Sequence, residues 1–305
     1  MKSVKIIAFL LSVLFLMTSC TFIVPIETKT SDKPPKPTNT EITSTATSDK
    51  TSEPTAEPTA PITAEPTATP TAEPTEPAKT EEPHIKTVLL DPGHGFIDGG
   101  CAPEALAPMT EAQVNVKFVM AVKAQLEAYG YRVVLTHDGV TFPSCAEIAA
   151  KCDKYGVEYD PFHPTYWVEN SNFDIYERSV WSNVLEAEYD CDMFISFHVD
   201  SYPQDASIRG SSVYYCTEND YSAESQRAVM LIDKAIRNAF PDRRVHTEGF
   251  KWDDAYAVTK YPKMPSMLIE VGYGTNPEDA DLMKGDTWAD EFASAVVSAV
   301  MTFLG

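Results

Sequence analysis

The distribution of aromatic residues and glycines confines the folded part of this chain to its C-terminal portion. No Phe, Trp or Tyr lies between Phe22 and Phe96, and no glycine precedes Gly93. Residues 21–83 instead consist largely of Thr, Pro and Glu, with the unit Ala-Glu-Pro-Thr repeated. Such a segment cannot bury enough apolar surface to fold, and Pro/Thr repeats favour an extended chain. We therefore predict a disordered linker over 21–83 and one folded domain over 84–305.

The first twenty residues have the pattern of a bacterial export signal. Lys2 and Lys5 precede an apolar run at 6–17, and two small polar residues then lead to Cys20. The run is too short to span a membrane comfortably. We expect a lipoprotein signal peptide over 1–20, with a lipid on Cys20 that anchors the protein in the bacterial cell membrane and leaves its domain outside the cytoplasm. The alternative is an ordinary cleaved signal that happens to contain this cysteine.

The charge of the chain argues against nucleic acid as a partner. The whole chain has a formal net charge of -21, and residues 84–305 contain 17 basic and 34 acidic side chains. Phosphate binding requires clustered Lys and Arg, which this balance does not favour. The domain would repel an anionic polymer, so a cell-wall substrate has to be met at a local site.

The cysteines leave their pairing open. If Cys20 carries a lipid, five remain, and an odd number outside the cell leaves at least one free thiol. None has CxxC spacing, which argues against a structural zinc knuckle. Cys145 and Cys152 would lie about 10 Å apart on a helix, too far for a disulfide without a bend.

A strand, an amphipathic helix and a second strand begin the predicted domain. The apolar run at 88–90 indicates a buried strand that ends at the turn Asp91-Pro92-Gly93. Thr110 and Gln113 form a capping box, and the helix that follows ends at Gly130. Its apolar face is predicted to contain Val114, Phe118, Val122, Leu126 and Tyr129. A strand at 131–135 follows at once, and this connection implies parallel pairing.

The rest of the chain continues this alternation. We predict further strands at 193–198, 211–215, 256–259 and 266–271. Further helices are predicted at 146–155 and 174–189, after an N-cap at Ser222, and over a closing segment that contains Trp288 and Phe303. The pattern indicates an α/β domain of three layers, with helices on both faces of a mostly parallel sheet of five or six strands. The stretch 139–173 is crowded with aromatic residues, and we expect it to be an insertion near the site.

Four reactive side chains are predicted to meet at one edge of this sheet. His94 and His198 lie at strand ends, Glu270 lies near a third strand end, and Glu111 lies in the first turn of a helix that starts on the same side. Two imidazoles and one carboxylate suit one Zn2+ and leave its fourth position for water. The other carboxylate can then accept a proton from that water.

Each of these residues also has a simpler interpretation. A histidine after a strand is more often a turn or core residue, and Glu111 is favourable at a helix N-terminus because of the helix dipole. Glu270 is harder to explain in this way, because an ionised carboxylate among apolar residues is costly unless it is paired or bound to a metal. Four such residues at one edge therefore favour a metal-dependent hydrolase.

Five motifs follow one another between residue 86 and the C-terminus: Leu-Asp-Pro-Gly-His-Gly, Thr-Glu-Ala-Gln-Val-Asn, Glu-Arg-Ser-Val-Trp-Ser-Asn, Phe-Ile-Ser-Phe-His and Met-Pro-Ser-Met-Leu-Ile-Glu-Val-Gly-Tyr-Gly-Thr-Asn. Together they resemble the zinc-dependent N-acetylmuramoyl-L-alanine amidases of the Asp-Pro-Gly-His-Gly type. The resemblance implies that His94, Glu111 and His198 bind one zinc ion and that Glu270 is the catalytic glutamate. It also implies the substrate, the peptidoglycan amide that joins the lactyl group of muramic acid to L-alanine.

The chain departs from the usual pattern of that family at several positions. Phe96 stands where a second glycine is usual, and His137 stands where an arginine is usual. The strand that carries His198 continues with Val-Asp-Ser instead of Ala-Asn-Ala. None of these differences removes an implied metal ligand. Arg178 and Asn183 match a helical arginine and asparagine of the family, and we interpret them as supporting rather than catalytic residues.

Two other functions remain open from the sequence. One is a zinc hydrolase of similar layout that cuts another stem-peptide amide, and the other is a non-catalytic wall-binding lipoprotein. Both histidines and both carboxylates are present, which argues against the second. No wall-binding repeat is visible in the sequence, so targeting would depend on the anchor and the linker. The oligomeric state is open, with a monomer as the expectation.

Overall fold

Six strands form one sheet in the part of the chain that the structure describes. The structure, a computed structural model, describes residues 84–160, 175–243 and 256–305, and the backbone of 245–250. The strands are β1 Thr87–Pro92, β2 Arg132–Leu135, β3 Met193–Asp200, β4 Ser211–Cys216, β5 Val245–Phe250 and β6 Ser266–Tyr273. Their order across the sheet is β2-β1-β3-β6-β4-β5. The first four in this order run parallel, whereas β4 is antiparallel to β6 and parallel to β5. The prediction of a mostly parallel sheet is confirmed.

Helices cover both faces of this sheet, which confirms the three predicted layers. They are α1 Glu111–Ala128, α2 Cys145–Tyr155, α3 Ile175–Tyr189, α4 Ser222–Ala239, α5 Ala257–Lys260, α6 Pro277–Lys284 and α7 Asp286–Leu304. Alternate residues of β1 face opposite layers. Val88 and Leu90 pack in one core cluster with α1, α4 and α7, and Leu89 packs in the other with α2, α3 and α5.

The chain order places a crevice between β1 and β3. The connection from β1 to β2 runs through α1 on one face, and the connection from β2 to β3 runs through α2 and α3 on the other. Two parallel neighbours whose connections leave in opposite directions open a gap at their carboxyl ends, where α/β proteins bind ligands. His94 follows β1 and His198 lies on β3, so the fold brings both to this gap.

Helix α1 begins and packs as its sequence predicts. Thr110 Oγ1 accepts from the Gln113 amide at 3.4 Å, and Gln113 Oε1 accepts from the Thr110 amide at 3.0 Å. Four members of the predicted apolar face are buried, but Tyr129 is 63% exposed because it lies beyond the last helical residue. Gly130 follows with a φ of 86°, the left-handed conformation that commonly terminates helices.

Three element predictions need correction. Residues 256–259 are not a strand, because most of them form α5, where Thr259 Oγ1 donates to the Tyr256 carbonyl at 2.9 Å and stabilises the turn. The strand beside β4 is β5 instead, which sequence periodicity did not indicate. Ser222 is the first residue of α4 rather than its cap, which is Tyr221. The short helix α6 was also not predicted.

Several sequence predictions lie outside the described residues. They concern the signal peptide and Cys20, the linker over 21–83, and residues 161–174 of the proposed insertion. The described part of that stretch contains α2, close to its predicted bounds. Among the described helices, none combines the length and the apolar character that a membrane span requires. The five described cysteines are all free thiols.

Candidate metal and catalytic site

The turn after β1 presents His94 at the carboxyl edge of the sheet. The Gly93 amide donates to the Phe197 carbonyl at 2.8 Å, which ties the turn to β3. His94 and Phe96 then adopt φ values of 63° and 55° on either side of Gly95. Side chains other than glycine rarely adopt this left-handed conformation, and it clusters at functional sites. The sequence Asp-Pro-Gly-His-Gly therefore gives the histidine an unusual, well-defined direction.

A buried ion pair holds this turn from behind. Asp91 is fully buried and pairs with Arg178 of α3 at 2.6 Å. Thr136 and Ser196 donate to the same carboxylate at 2.5 and 2.6 Å. Burial by itself would raise the pKa of Asp91, but Arg178 and the hydroxyl donors lower it to about 2. Arg178 also donates to the His94 carbonyl at 2.7 Å, so the expectation that it supports the site agrees with its contacts.

His94, Glu111 and His198 converge on one point. One possible ligand atom from each lies within 4.8 Å of the other two. Glu111 Oε1 is 3.0 Å from His94 Nε2 and 3.0 Å from His198 Nδ1. The two rings meet edge to face, with centroids 4.9 Å apart. Two ring nitrogens and a carboxylate oxygen thus form a set that could hold a metal ion.

Neighbouring groups fix the orientation of these three side chains. His94 Nδ1 is 2.7 Å from Asp98 Oδ2, and a proton on Nδ1 that points to this carboxylate leaves Nε2 available as a ligand. Glu111 Oε2 accepts from the Cys101 amide at 2.8 Å, and Oε1 accepts from the Val199 amide at 3.1 Å. Sequence reasoning missed Asp98, although its position four residues after His94 on a tight loop could have suggested it.

The pKa values of His94 and Glu111 are shifted in directions that make metal binding compete with proton binding. Burial lowers the pKa of His94, but hydrogen bonds to Asp98 and Glu111 outweigh it and raise the pKa to about 9. Burial likewise raises the pKa of Glu111, and the two histidines outweigh it and hold the pKa far below its usual range. Glu111 is therefore ionised at neutral pH, and a divalent cation has to displace a proton from His94.

Two glycines leave the space that the set occupies. A Cβ on Gly93 would lie 2.3 Å from His198 Nε2, so the imidazole rests directly on the backbone of the first turn. A Cβ on Gly100 would lie 2.6 Å from Glu111 Oε2 and 2.8 Å from His94 Cδ2. Neither space is visible from the sequence, because both depend on approaches between distant segments.

Glu270 lies beside this set on the neighbouring strand. In the register of β3 and β6 it is paired with His198. It is 7% exposed, and its Oε2 has no hydrogen-bond partner in the described part of the protein. Burial, followed by the charges of Glu111 and Asp200, raises its pKa well above the usual value. The carboxylate is thus a strong proton acceptor next to the candidate metal site.

The fold brings all four predicted site residues together. The hydrogen bonds of Asn183 go to other residues, because its side chain donates to the Tyr261 carbonyl at 3.0 Å and accepts from the Lys263 amide at 2.7 Å. Asn115 was not singled out, although it lies one turn after Glu111 and donates to the Gly93 carbonyl at 3.0 Å. Its i+4 spacing from Glu111 was the available signal.

Comparisons with known proteins agree with this geometry. A family model described as N-acetylmuramoyl-L-alanine amidase matches residues 88–302. The N-acetylmuramoyl-L-alanine amidase LytC of Bacillus subtilis (strain 168) is 27% identical over 219 residues, which cover 72% of this chain but 35% of LytC. A germination-specific N-acetylmuramoyl-L-alanine amidase of the same organism is 25% identical over 218 residues, 72% of this chain and 79% of the relative.

A solved structure shows the same fold. The CwlD amidase from Clostridioides difficile, in complex with the GerS lipoprotein, superposes with a TM-score of 0.54 at 21% identity. The superposition covers 72% of this chain and 98% of the CwlD chain. The part of this chain that matches is therefore similar in fold to nearly the whole of that CwlD chain.

Proposed function

The chain belongs to the N-acetylmuramoyl-L-alanine amidase family, whose model covers residues 88–302, and on this premise we propose that it hydrolyses peptidoglycan. The bond cut is the amide between the lactyl group of muramic acid and L-alanine. The observation that carries the proposal is the convergence of His94, Glu111 and His198, with Glu270 beside them. Such a constellation is what metal-assisted amide hydrolysis requires.

The donor set fits one zinc ion better than a hard cation. Two imidazole nitrogens and one carboxylate oxygen within 4.8 Å of one another are typical zinc ligands. Magnesium and calcium prefer oxygen ligands throughout. His94 Nε2, Glu111 Oε1 and His198 Nδ1 would hold the ion, and Asp98 would keep the proton of His94 on Nδ1. When bound, zinc supplies Lewis-acid activation of water and of the amide carbonyl.

Glu270 is the proposed general base and acid. Its buried Oε2 has no competing hydrogen-bond donor among the described residues, so it can accept a proton from the attacking water. The raised pKa of this carboxyl favours that transfer. Glu270 then passes the proton to the amide nitrogen as the carbon-nitrogen bond breaks. The products are the lactyl carboxylate on the glycan and a stem peptide with a new amino terminus.

The cellular setting belongs to the same proposal. A lipid on Cys20 would hold the protein at the outer face of the bacterial cell membrane, and the linker over 21–83 would let the domain reach the wall. The pattern of the first twenty residues and the Pro/Thr repeats support this arrangement. Peptidoglycan lies outside the cytoplasm, so export and the proposed substrate are consistent with each other.

The test is digestion of purified peptidoglycan by the full chain, followed by identification of the new amino termini. We expect L-alanine termini to appear, and we expect the purified protein to contain about one zinc per chain by elemental analysis. Chelation of the metal should abolish the release of stem peptide, and added zinc should restore this release. New termini of any other amino acid would contradict the proposed bond. Release of peptide by chelated, metal-free protein would contradict the metal site.

A further inference from the structure

Beside the candidate general base, an aspartate and three tyrosines from four parts of the chain lie close enough to interact. Asp200 ends β3, two residues after His198, and is paired with Tyr273 at the end of β6. Tyr214 lies on β4, and Tyr256 precedes α5. The rings of Tyr214 and Tyr256 meet edge to face, with centroids 5.3 Å apart. We call Asp200, Tyr214, Tyr256 and Tyr273 the tyrosine-aspartate cluster.

The members of the cluster are close enough to influence one another and Glu270. Burial and then the charge of Glu270 raise the pKa of Tyr256. Burial and then the charge of Asp200 raise the pKa of Tyr273, whose hydroxyl is within hydrogen-bonding reach of this carboxylate. Both tyrosines therefore stay protonated at neutral pH. The cluster combines three aromatic rings with the carboxyl group of Asp200, and the buried carboxyl group of Glu270 lies beside it.

Among the described residues, neither Asp200 nor Glu270 forms an ion pair with a lysine or an arginine, although the charge of His94 acts on Glu270 from the candidate metal site. Asp200 accepts one backbone hydrogen bond, from Ser201 at 2.6 Å. Glu270 is 93% buried, and its Oε2 has no partner there. Burying a carboxylate without a partner is costly, so these carboxyl oxygens would gain from accepting a hydrogen bond that a ligand donates. Tyr256 is 43% exposed, which leaves the cluster accessible from solvent.

We propose that the tyrosine-aspartate cluster is an ammonium subsite, which binds a primary amine of the stem peptide. The proposal rests on the proposed amidase function, and it specifies that the peptide part of the substrate is recognised through a primary amine. Carboxylates and aromatic faces together favour a cation, through charge-assisted hydrogen bonds and cation-π attraction. An anion would be repelled by the same groups.

Two amines of a stem peptide have this chemistry. One is the α-amine of L-alanine, which becomes an ammonium group when the amide is cut, and the other is a side-chain amine further along the peptide. Asp200 lies two residues from His198, which puts the cluster near the bond that breaks. The experiment below separates the two sources.

The probe is the synthetic tripeptide L-alanyl-D-glutamyl-L-lysine, titrated by calorimetry into the full chain after chelation of metal, so that the amine cannot bind zinc. Versions acetylated on the α-amine, on the lysine amine, or on both are titrated in parallel. We expect the unmodified tripeptide to bind and the doubly acetylated one to bind at least about tenfold more weakly. The singly acetylated versions identify which amine is bound.

Matched variants connect this binding to the cluster. Asp200→Asn keeps the shape and the acceptor for Ser201, and we expect about tenfold weaker binding of the amine form and no change for the doubly acetylated form. Asp290→Asn removes the same charge from an exposed position on α7 and should change the affinity for neither the unmodified nor the doubly acetylated tripeptide. Tyr256→Phe keeps the ring and should bind normally, whereas Tyr256→Leu should weaken binding.

Equal binding of all four peptides would overturn the subsite, as would equal losses in the Asp200 and Asp290 variants. The hydrolysis assay reports separately on the proposed function. If L-alanine termini appear but binding ignores the amines, the amidase proposal stands and the subsite fails. If the amine binds through Asp200 but no peptide is released from peptidoglycan, the subsite stands and the amidase proposal fails.

Discussion

Glu270 lies directly opposite His198 in the register of β3 and β6. Neighbouring parallel strands are about 4.8 Å apart, so this pairing places the candidate base one strand away from a candidate metal ligand. The neighbour on the other side of Glu270 is Ser212 of β4. The backbone hydrogen bonds between β3 and β6 therefore align Glu270 with His198.

Removal of the carboxylate at Glu270 should separate activity from metal binding. Glu270→Gln and Glu270→Ala are expected to keep zinc and to lower the rate at which new L-alanine amino termini appear by about two to four orders of magnitude, because the proton acceptor is lost. His94→Ala should lose both the bound zinc and the hydrolytic activity. Zinc content and release measured on the same preparations check this, and normal hydrolysis by a Glu270 variant would remove its assignment as the base.

The same variant should stabilise the metal-free protein. Glu270 is buried near two other carboxylates, and its pKa is raised on folding. A carboxyl of raised folded pKa opposes folding above its unfolded pKa, so at neutral pH the neutral glutamine should raise the melting temperature. Thermal unfolding of both proteins after chelation measures this. A lower melting temperature for Glu270→Gln would contradict the electrostatic account.

Gly100→Ala should damage the metal site through steric conflict. Its Cβ would lie 2.6 Å from Glu111 Oε2, at a φ of 66°. We expect zinc affinity to fall by at least about tenfold, as for changes around metal ligands generally. Gly130→Ala is the matched control, because its φ is 86° and its Cβ would meet nothing within 4 Å. It should lose about 1 kcal/mol of stability and keep zinc, and equal zinc affinity in both variants would refute the steric argument.

Arg178→Ala should be among the most destabilising single changes. It leaves the fully buried Asp91 without its cationic partner, which typically costs about 3 to 5 kcal/mol in free energy of unfolding. Arg209→Ala breaks an exposed pair with Glu278 of α6 and should cost less than about 1 kcal/mol. Urea unfolding of both measures the contrast. Similar losses in the free energy of unfolding for the two variants would show that groups other than Arg178 compensate the buried charge of Asp91.

Stability should fall between pH 6.5 and pH 4 because of His137. Its Nε2 is 2.7 Å from the Pro92 carbonyl and its Nδ1 is 3.1 Å from the Gly139 amide, which fits a neutral ring that donates and accepts. Burial and then Arg178 lower its pKa to about 4. The unfolded chain therefore binds this proton first, at about pH 6.5, and the native state loses up to about 3 kcal/mol as the pH falls to 4. His137→Gln should remove this part of the pH dependence in urea unfolding, and an unchanged profile would contradict it.

The correct and incorrect sequence predictions have a common physical basis. The capping box at Thr110 and Gln113 and the strand before His94 depend on residues close in the chain, and both occur as predicted. The segment 256–259 contains β-branched Val258 and Thr259 and suggested a strand, but it becomes α5 because β5 takes the place beside β4. Competition for a position in a sheet is not visible in a local pattern.

The sequence by itself determined which side chains could do chemistry and that each lies at or near the end of an apolar strand or begins a helix, because these properties depend on local periodicity and residue type. His94, Glu111, His198 and Glu270 were therefore identifiable before the fold was known. Only the tertiary structure decided that Gly93 and Gly100 leave room for the imidazoles and for Glu111, and that Tyr214, Tyr256 and Tyr273 gather beside Asp200. These approaches depend on strand order and register, which arise when segments far apart in the chain bury their apolar faces against one another.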